Sequence, residues 1–461
     1  MRQVFRKIPV YTGDVSGVCS ALFELGGMIV MHDPSGCNST YNTHDEIRWY
    51  DHDSLIFISG LNEMEAIMGS DENLIRDITE SAGIYSPKFI AIANSPIPYI
   101  TGMDFDAISR LVEEQTGIPA FYITTNGMHD YTRGAGLAFK QLARNFVMSP
   151  APNGAENNIP AIGKNSCEQE KEIFPDRDLE KIGKRPLRCN ILGMTPLDFA
   201  SSTSLASLRT KVEAAGFEIV SCWAMGDDLE HIQASASADV NLVVASSGLA
   251  AAQYLFRKFG IPFTAGIPAE STEEIYFEAA RMAAQTGENQ FPFRDRQGMS
   301  KDPASAGTAE GTSYSKADGT NNQKKFPEHD PVPVCFIGEP VIMTSLAAQV
   351  QLRTGARTYV FGATEEAQIF LGEQDAALCG EEELEEALAG LVRQEDAAGK
   401  ISPNTADRGE KEKSVRLRVA ADPYYKDVFP EGCELISLPH LAFSGRILLG
   451  EIPDLFRFII K

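Results

Sequence analysis

The chain is 461 residues long and 43 % hydrophobic, more apolar material than one core can use and enough to fill about two to four. Its 41 Lys and Arg stand against 64 Asp and Glu, and the net charge of −23 repels nucleic acid and anionic lipid, so neither is expected as a partner. No run approaches the ~18 apolar residues of a membrane span, and no apolar leader core follows the basic start MRQVFRKIPV, so a cytoplasmic globular protein is expected.

In chain order, the first passage that carries chemistry runs from Gly13 to Tyr50. Within it GGMIVM reads as a strand, and HDPSGC follows at once, with Pro34 and Gly36 turning the chain where the strand ends. In an α/β protein that edge is where ligands sit. Cys19 precedes the strand and reads as lying in a Gly-flanked turn of its own, so that its thiol and that of Cys37 converge from loops. The eight cysteines show no CxxC spacing, and a disulfide framework is not expected in a reducing compartment. Cys189, Cys222, Cys335 and Cys379 sit in or beside apolar runs and read as small buried hydrophobes.

Next, SLIFISG reads as a strand, Glu72 to Tyr85 as a helix and PKFIAIAN as a strand ending in SPIP. Asp104 caps a helix whose Phe105, Ile108, Leu111 and Val112 share a face, closed by Gly117 before the strand PAFYITT. The same helix, glycine, strand order recurs around Gly216, Gly260 and Gly355. Strands alternating with helices of this length imply right-handed crossovers and mostly parallel sheets covered on both faces. Polar, Pro/Gly/Asn-rich text after Ser149 and the apolar-poor stretch DPASAGTAEGTSYSKADGTNNQKK break the rhythm. The expected division is a first α/β domain at 1–150, a linker at 151–185, a second domain at 186–294, an insertion or linker at 295–332 and a third domain at 333–461. The acidic run from Glu381 has leucines at helical spacing and reads as a solvated helix face rather than a metal site.

Two loop cysteines per chain are too few for a four-thiolate iron–sulfur site, but a second chain across a two-fold axis makes up the number. On spacing alone this stands beside the plainer reading of two structural thiols. His32 and His44 flank Cys37, and His129 follows a strand in TTNGMHDYTRG, so each is a candidate proton donor facing a shared pocket. Arg48 and Arg133 either position an anionic substrate or pair with Asp45 and Asp130. His440, in LPHLAFSGRI, reads as a turn residue with its bonds satisfied. There is no GxxxxGK[ST] and no convincing GxGxxG nucleotide signature.

Taken together, Cys19, HDPSGC ending at Cys37, ISGLNEMEAIMGSDENL, SPIPYITGMDFDAI and VNLVVASSGLAAAQYLFRKFGIP resemble the nitrogenase component 1 family, in its order and along nearly the whole chain. That family includes the molybdenum–iron protein α and β subunits and those of dark-operative protochlorophyllide reductase. The resemblance implies three Rossmann-like α/β domains with mostly parallel sheets flanked by helices. It implies Cys19 and Cys37 as ligands of a cluster shared between subunits, either in a homodimer or in a heterodimer with a related chain. Ser95 stands where the family has its third cluster cysteine, and is expected to donate a hydrogen bond rather than to ligate. Ala245 stands where the nitrogenase α subunit holds its catalytic cofactor by a cysteine, and no cofactor histidine motif follows near the C-terminus. These departures point away from dinitrogen and a molybdenum cofactor, toward a [4Fe–4S] cluster relaying electrons from an ATP-dependent iron protein to another substrate. A metallocofactor scaffold or carrier, and a cluster-free small-molecule binder on the same frame, stand as alternatives.

Overall fold

The computed structural model describes residues 5–36, 54–69, 71–148, 185–200, 202–296, 331–397 and 415–460. Cys37, His44, Arg48 and Cys167 lie outside these, as do nearly all of the segments read as linker and insertion. Three sheets, every strand pair parallel, are flanked by helices.

The first sheet holds β1 (Met28–His32), β2 (Leu55–Ile58), β3 (Ile90–Asn94) and β4 (Ala120–Ile123) in the order β2-β1-β3-β4. MIVMH and IAIAN are buried at every position, as strands covered on both faces must be. Helix α1 (Asp14–Leu22) opens the unit, α2 (Glu63–Met68) and α3 (Glu72–Tyr85) follow β2, α4 (Pro96–Thr101) and α5 (Phe105–Thr116) follow β3, and α6 (Tyr131–Phe146) follows β4. Asp104 caps α5 by accepting the Ala107 N–H at 3.0 Å. Gly117 ends it at φ 69°, a left-handed position that favours glycine. Phe105, Ile108 and Val112 of α5 face inward, but Leu111 is exposed. Met28, Val30, Ile90 and Ile92 pack under α3 and α5, while Ile29, Met31, Ala91 and Ala93 pack under α1 and α6.

Cys19 is therefore not in a turn. DVSGVCSAL runs on as one helix, and Gly17 serves an approach rather than a bend: a Cβ there would lie 2.1 Å from the Tyr131 carbonyl oxygen, and one on Gly134 1.8 Å from that of Asp14. Only glycine lets these two backbones touch.

The second sheet holds β5 (Leu187–Met194), β6 (Phe217–Ala224), β7 (Val240–Val243) and β8 (Phe263–Ala265) in the order β6-β5-β7-β8. Its helices are α7 (Pro196–Phe199), α8 (Ser202–Ala214), α9 (Leu229–Gln233), α10 (Leu249–Phe259) and α11 (Glu273–Thr286). α10 packs on α6, and Leu192, Trp223 and Val243 join Phe139 in one apolar core, so the first two units are fused rather than merely adjacent.

The third sheet runs β11-β10-β9-β12-β13, from β9 (Val334–Gly338), β10 (Thr358–Gly362), β11 (Ala376–Ala377), β12 (Leu417–Ala421) and β13 (Cys433–Ser437). Helix α12 (Pro340–Thr354) is almost wholly buried against the second unit. α13 (Glu381–Ala397) turns Leu384, Leu388 and Val392 inward, and α14 (Leu441–Ser444) closes the order. Among the described residues no helix is long and apolar enough to cross a membrane.

Candidate functional site

β1 leads to β2 on one side and, after the crossover, to β3 on the other, so a crevice opens between the C-terminal ends of β1 and β3. At β1's end, Asp33 Oδ2 accepts the Ser35 N–H at 2.8 Å and Ser35 takes φ 78°, which is the turn expected after this strand. His32 lies edge-on to Phe105 at 5.7 Å with Nδ1 2.8 Å from Ser59 Oγ. Burial lowers its pKa to about 4, leaving a neutral imidazole at neutral pH. From β3, Asn94 accepts the Tyr122 O–H at 2.5 Å and the Ser95 N–H donates to the His32 carbonyl at 3.2 Å. Among the described residues, His32 Nε2, Asp33 Oδ1 and Ser95 Oγ are all buried without a hydrogen-bond partner. Each such atom costs about 1–3 kcal/mol when left so, which makes the crevice a candidate site for a group beyond the described residues.

An iron–sulfur cluster needs thiolates, and among the described residues Cys19 is turned away from this crevice. It is 0 % exposed, and it packs with Val15, Val18, Leu22 and Met31 on the sheet face opposite that of Phe105 and His32. Among the described residues this thiol lies inside a core that the first two units share. The crevice offers an imidazole, a carboxylate and a hydroxyl, which suit hydrogen bonding at that edge. The chain leaving it leads to Cys37.

Beside the crevice lies a different kind of surface. α2 and α4 pack together, and no residue of α2 is buried. Met64, Ile67, Met68 and Ile100 are 67, 70, 73 and 73 % exposed, and Ile97 and Tyr99 extend the patch. Its surroundings carry Glu63, Glu65, Asp71, Glu72, Asp104 and Asp106, and residues 54–75 and 95–109 contain no Lys, Arg or His. Asp71 is pushed up by burial and by the charge of Asp104, so like charges already crowd this rim. Large exposed apolar patches with a polar rim mark interaction sites.

A cleft of ≈ 1040 Å³ opens between the first and third units, lined by Tyr11, His129, Arg133, Glu365, Cys379 and Phe443 among others. Asp14 accepts the Asn126 and Gly127 N–H groups at 3.0 and 2.9 Å and so fixes the loop that carries His129. His129 Nδ1 is 2.8 Å from Glu365 Oε2 across the cleft, and the Glu365 N–H donates to Asp130 Oδ2 at 2.7 Å. The Arg133 guanidinium faces Glu366 at 3.9 Å instead of Asp130, whose carboxylate is occupied in capping α6. Of the three histidines expected to share a pocket, His129 is on this cleft and His32 is at the strand edge.

Sequence reasoning missed a buried polar junction behind the cleft, where Tyr131, Asp198, Glu339 and His440 meet from all three units. His440 is not the satisfied turn residue expected: among the described residues Nδ1 has no partner, and Nε2 lies 3.3 Å from Asp198 Oδ1. The one available signal was Glu339 itself, a lone acid at the end of the apolar strand VCFIG.

The model of the nitrogenase component 1 type oxidoreductase family matches residues 16–288, more than half of the chain. Over 118 residues the chain is 37 % identical to one of the subunits of a light-independent protochlorophyllide reductase from Bradyrhizobium sp., covering 24 % of this chain and 22 % of that protein. Over 167 residues it is 26 % identical to the nitrogenase molybdenum-iron protein beta chain of Bradyrhizobium diazoefficiens, covering 33 % and 32 %. The matches thus span less than about a third of these relatives' length. A solved structure titled nitrogenase Cp1 at pH 5 superposes with a TM-score of 0.48 at 15 % identity, over 84 % of this chain and 72 % of that one.

Proposed function

Since the chain belongs to the nitrogenase component 1 type oxidoreductase family, we propose that it is a reductase component that receives electrons from an ATP-dependent iron protein and passes them to a substrate other than dinitrogen. The observation that carries this reading is the apolar, acid-rimmed face of α2 and α4. A donor that binds and leaves for each electron needs a modest apolar contact for affinity and a single-signed rim for steering. A basic-rimmed protein suits that face; a second copy of this acidic chain does not.

The unpaired His32, Asp33 and Ser95 atoms beside it support an electron-relay group at the same edge. We assign one thiolate of a [4Fe–4S] cluster to Cys37; the cluster is shared with a second related chain in a homodimer or heterodimer, and with Cys19 in the core a homodimer contributes two thiolates, so that the other two ligands are of another kind. His44 and Arg48 belong to the same proposed lining. In the cleft, His129 is the proposed proton donor and Arg133 the group that positions an anionic substrate. The three units are proposed to be domains with the boundaries 1–150, 186–294 and 333–461.

The test is a double variant, Ile67→Asp with Met68→Asp, challenged with reduced iron protein and MgATP. Electron transfer into the chain is expected to fall by at least about 10-fold, the equivalent of 1.4 kcal/mol of docking energy. The melting temperature should not move, because both side chains are exposed. An unchanged transfer rate removes the docking assignment.

A further inference from the structure

The cleft between the first and third units brings together two side chains that lie 236 positions apart in the sequence, His129 and Glu365. Both are anchored through their main chains. The His129 carbonyl accepts the Asp14 N–H at 3.0 Å, in the loop that the Asp14 carboxylate already holds through the Asn126 and Gly127 N–H groups. Gly127, at φ 68°, lies against Pro96, where a Cβ would come within 2.6 Å of the ring, and this fixes the loop from its other side. On the third unit Glu365 follows β10, and its N–H donates to Asp130 Oδ2 at 2.7 Å. Asp130 thus serves both units, because its Oδ1 accepts the Thr132 N–H at 3.0 Å in capping α6. Between these two fixed backbones His129 Nδ1 lies 2.8 Å from Glu365 Oε2, with the side chains 33 and 30 % exposed.

A carboxylate only accepts, so the hydrogen between the two side chains sits on Nδ1. A neutral imidazole has one N–H, and with that one held by Glu365 the lone pair is left on Nε2. Among the described residues Nε2 makes no hydrogen bond. We propose that Glu365 is the positioning residue of His129, and that Nε2 is the nitrogen through which His129 exchanges a proton with a ligand in the cleft. This rests on the reading of His129 as the proton donor and names the atom and the residue that sets it. In the step itself the Nε2–H bond of the imidazolium breaks, and the proton passes to the ligand atom that has received the electron. The ring is left neutral with Nδ1–H still on Glu365, and a proton from solvent restores Nε2–H without any turn of the ring.

The wall that carries Glu365 also carries a group with nothing to bond. Thr364, the residue before it, is 0 % exposed and borders the cleft, and its Oγ1 has no partner among the described residues. A buried hydroxyl left so costs free energy, and a polar atom of a ligand recovers it, so this wall is one that a ligand completes. Tyr11, Met128 and Phe443 supply apolar surface in the same cleft. The Arg133 guanidinium is turned to Glu366 at 3.9 Å, which leaves the Glu365 carboxylate to His129.

Nuclear magnetic resonance of the full chain, with nitrogen-labelled histidine at pH 9, tests this by showing which ring nitrogen carries the hydrogen; His129→Gln identifies the signals. In the wild type Nδ1–H is expected to outweigh Nε2–H by at least about 10-fold, because a hydrogen bond to a carboxylate is among the stronger ones. Glu365→Gln keeps an oxygen that accepts from Nδ1 and should keep the preference, while Glu365→Ala should lose it. Iodoacetamide at pH 7, which alkylates the ring nitrogen bearing the lone pair, reads access from the cleft. The His129 peptide should carry the added group on Nε2 in the wild type, and the share on Nδ1 should rise about 10-fold in Glu365→Ala. Neither readout uses the iron protein, so the pairing can fail while electron delivery holds, and a chain that accepts no electrons leaves the pairing intact. Nε2–H dominating in the wild type, an Nδ1–H preference that survives in Glu365→Ala, or wild-type alkylation that is absent or falls chiefly on Nδ1 overturns the proposal.

Discussion

At the C-terminal edge of the first sheet burial strips a proton from a histidine; at the junction behind the cleft burial keeps one on a glutamate. Both sites lie at the ends of buried parallel strands, β1 and β9, where the sheet stops supplying hydrogen-bond partners. They differ in what surrounds them. The edge opens beside an exposed apolar face and leaves three buried atoms unpaired among the described residues. At the junction both carboxylates are bonded, and the atom left without a partner among the described residues is on the imidazole of His440 rather than on an acid. The first arrangement suits a visitor from outside the described residues; the second ties the three units together.

The largest expected effect breaks the scaffold that holds these regions apart. α1 and α6 cross at Gly17 and Gly134, and a Cβ at 1.8 Å from the Asp14 carbonyl oxygen has no room. Gly134→Ala should lower unfolding stability by roughly 4 kcal/mol or more, or prevent folding. Gly390→Ala, on the outside of α13 with its nearest neighbour 4.0 Å away, should stabilise by up to about 1 kcal/mol. Urea midpoints of the two variants decide whether the helix contact is as close as described. Similar midpoints would contradict it.

The next effect sharpens the contrast in titration. His32 has a folded pKa of about 4 against an ordinary 6.5, so its contribution is complete above 6.5 and is lost as pH falls toward 4. Glu339 has a folded pKa of about 7 against 4.5, so its contribution is complete below 4.5 and is lost as pH rises through 7. Between 4.5 and 6.5 the two slopes oppose each other and largely cancel. His32→Gln should expose the glutamate slope, with stability falling by about 1.4 kcal/mol per pH unit. Glu339→Gln should expose the histidine slope, of similar size and opposite sign. Urea denaturation at pH 4.5, 5.5 and 6.5 measures both; parallel pH profiles for the two variants would refute the opposition.

Much of this frame was readable from residue order. The apolar runs gave the strands, and the caps placed α5, because Asp104 and Gly117 act through local backbone geometry. Leu111 was misplaced since one helical face is wider than the surface it meets. Cys19 was misread because Gly17 looks the same in a sequence whether it bends a chain or admits a neighbouring helix. The junction was illegible for a different reason: Tyr131, Asp198, Glu339 and His440 come from three units and share no spacing. The apolar face of α2 was also hidden, for EMEAIM carries the apolar residues of a buried helix and only the fold shows that none of the described residues covers them. Cys37, His44 and Arg48 lie outside the described residues.

The smallest effect concerns the residue on which edge and core are easiest to confuse. If Cys19 is a core thiol of α1, Cys19→Ala removes one buried sulfur and leaves a small cavity between the first two units. The expected loss is about 1 kcal/mol, seen as a slightly lower urea midpoint. Anaerobically prepared protein should keep its full iron and sulfide content, while Cys37→Ala loses them. The two variants separate packing from ligation because a cluster thiolate cannot be replaced by a methyl group without losing a metal bond. Loss of iron in Cys19→Ala would mean that α1 opens in the assembled protein and turns its buried face to the cluster. The seal between the first two units would then be a property of the lone chain.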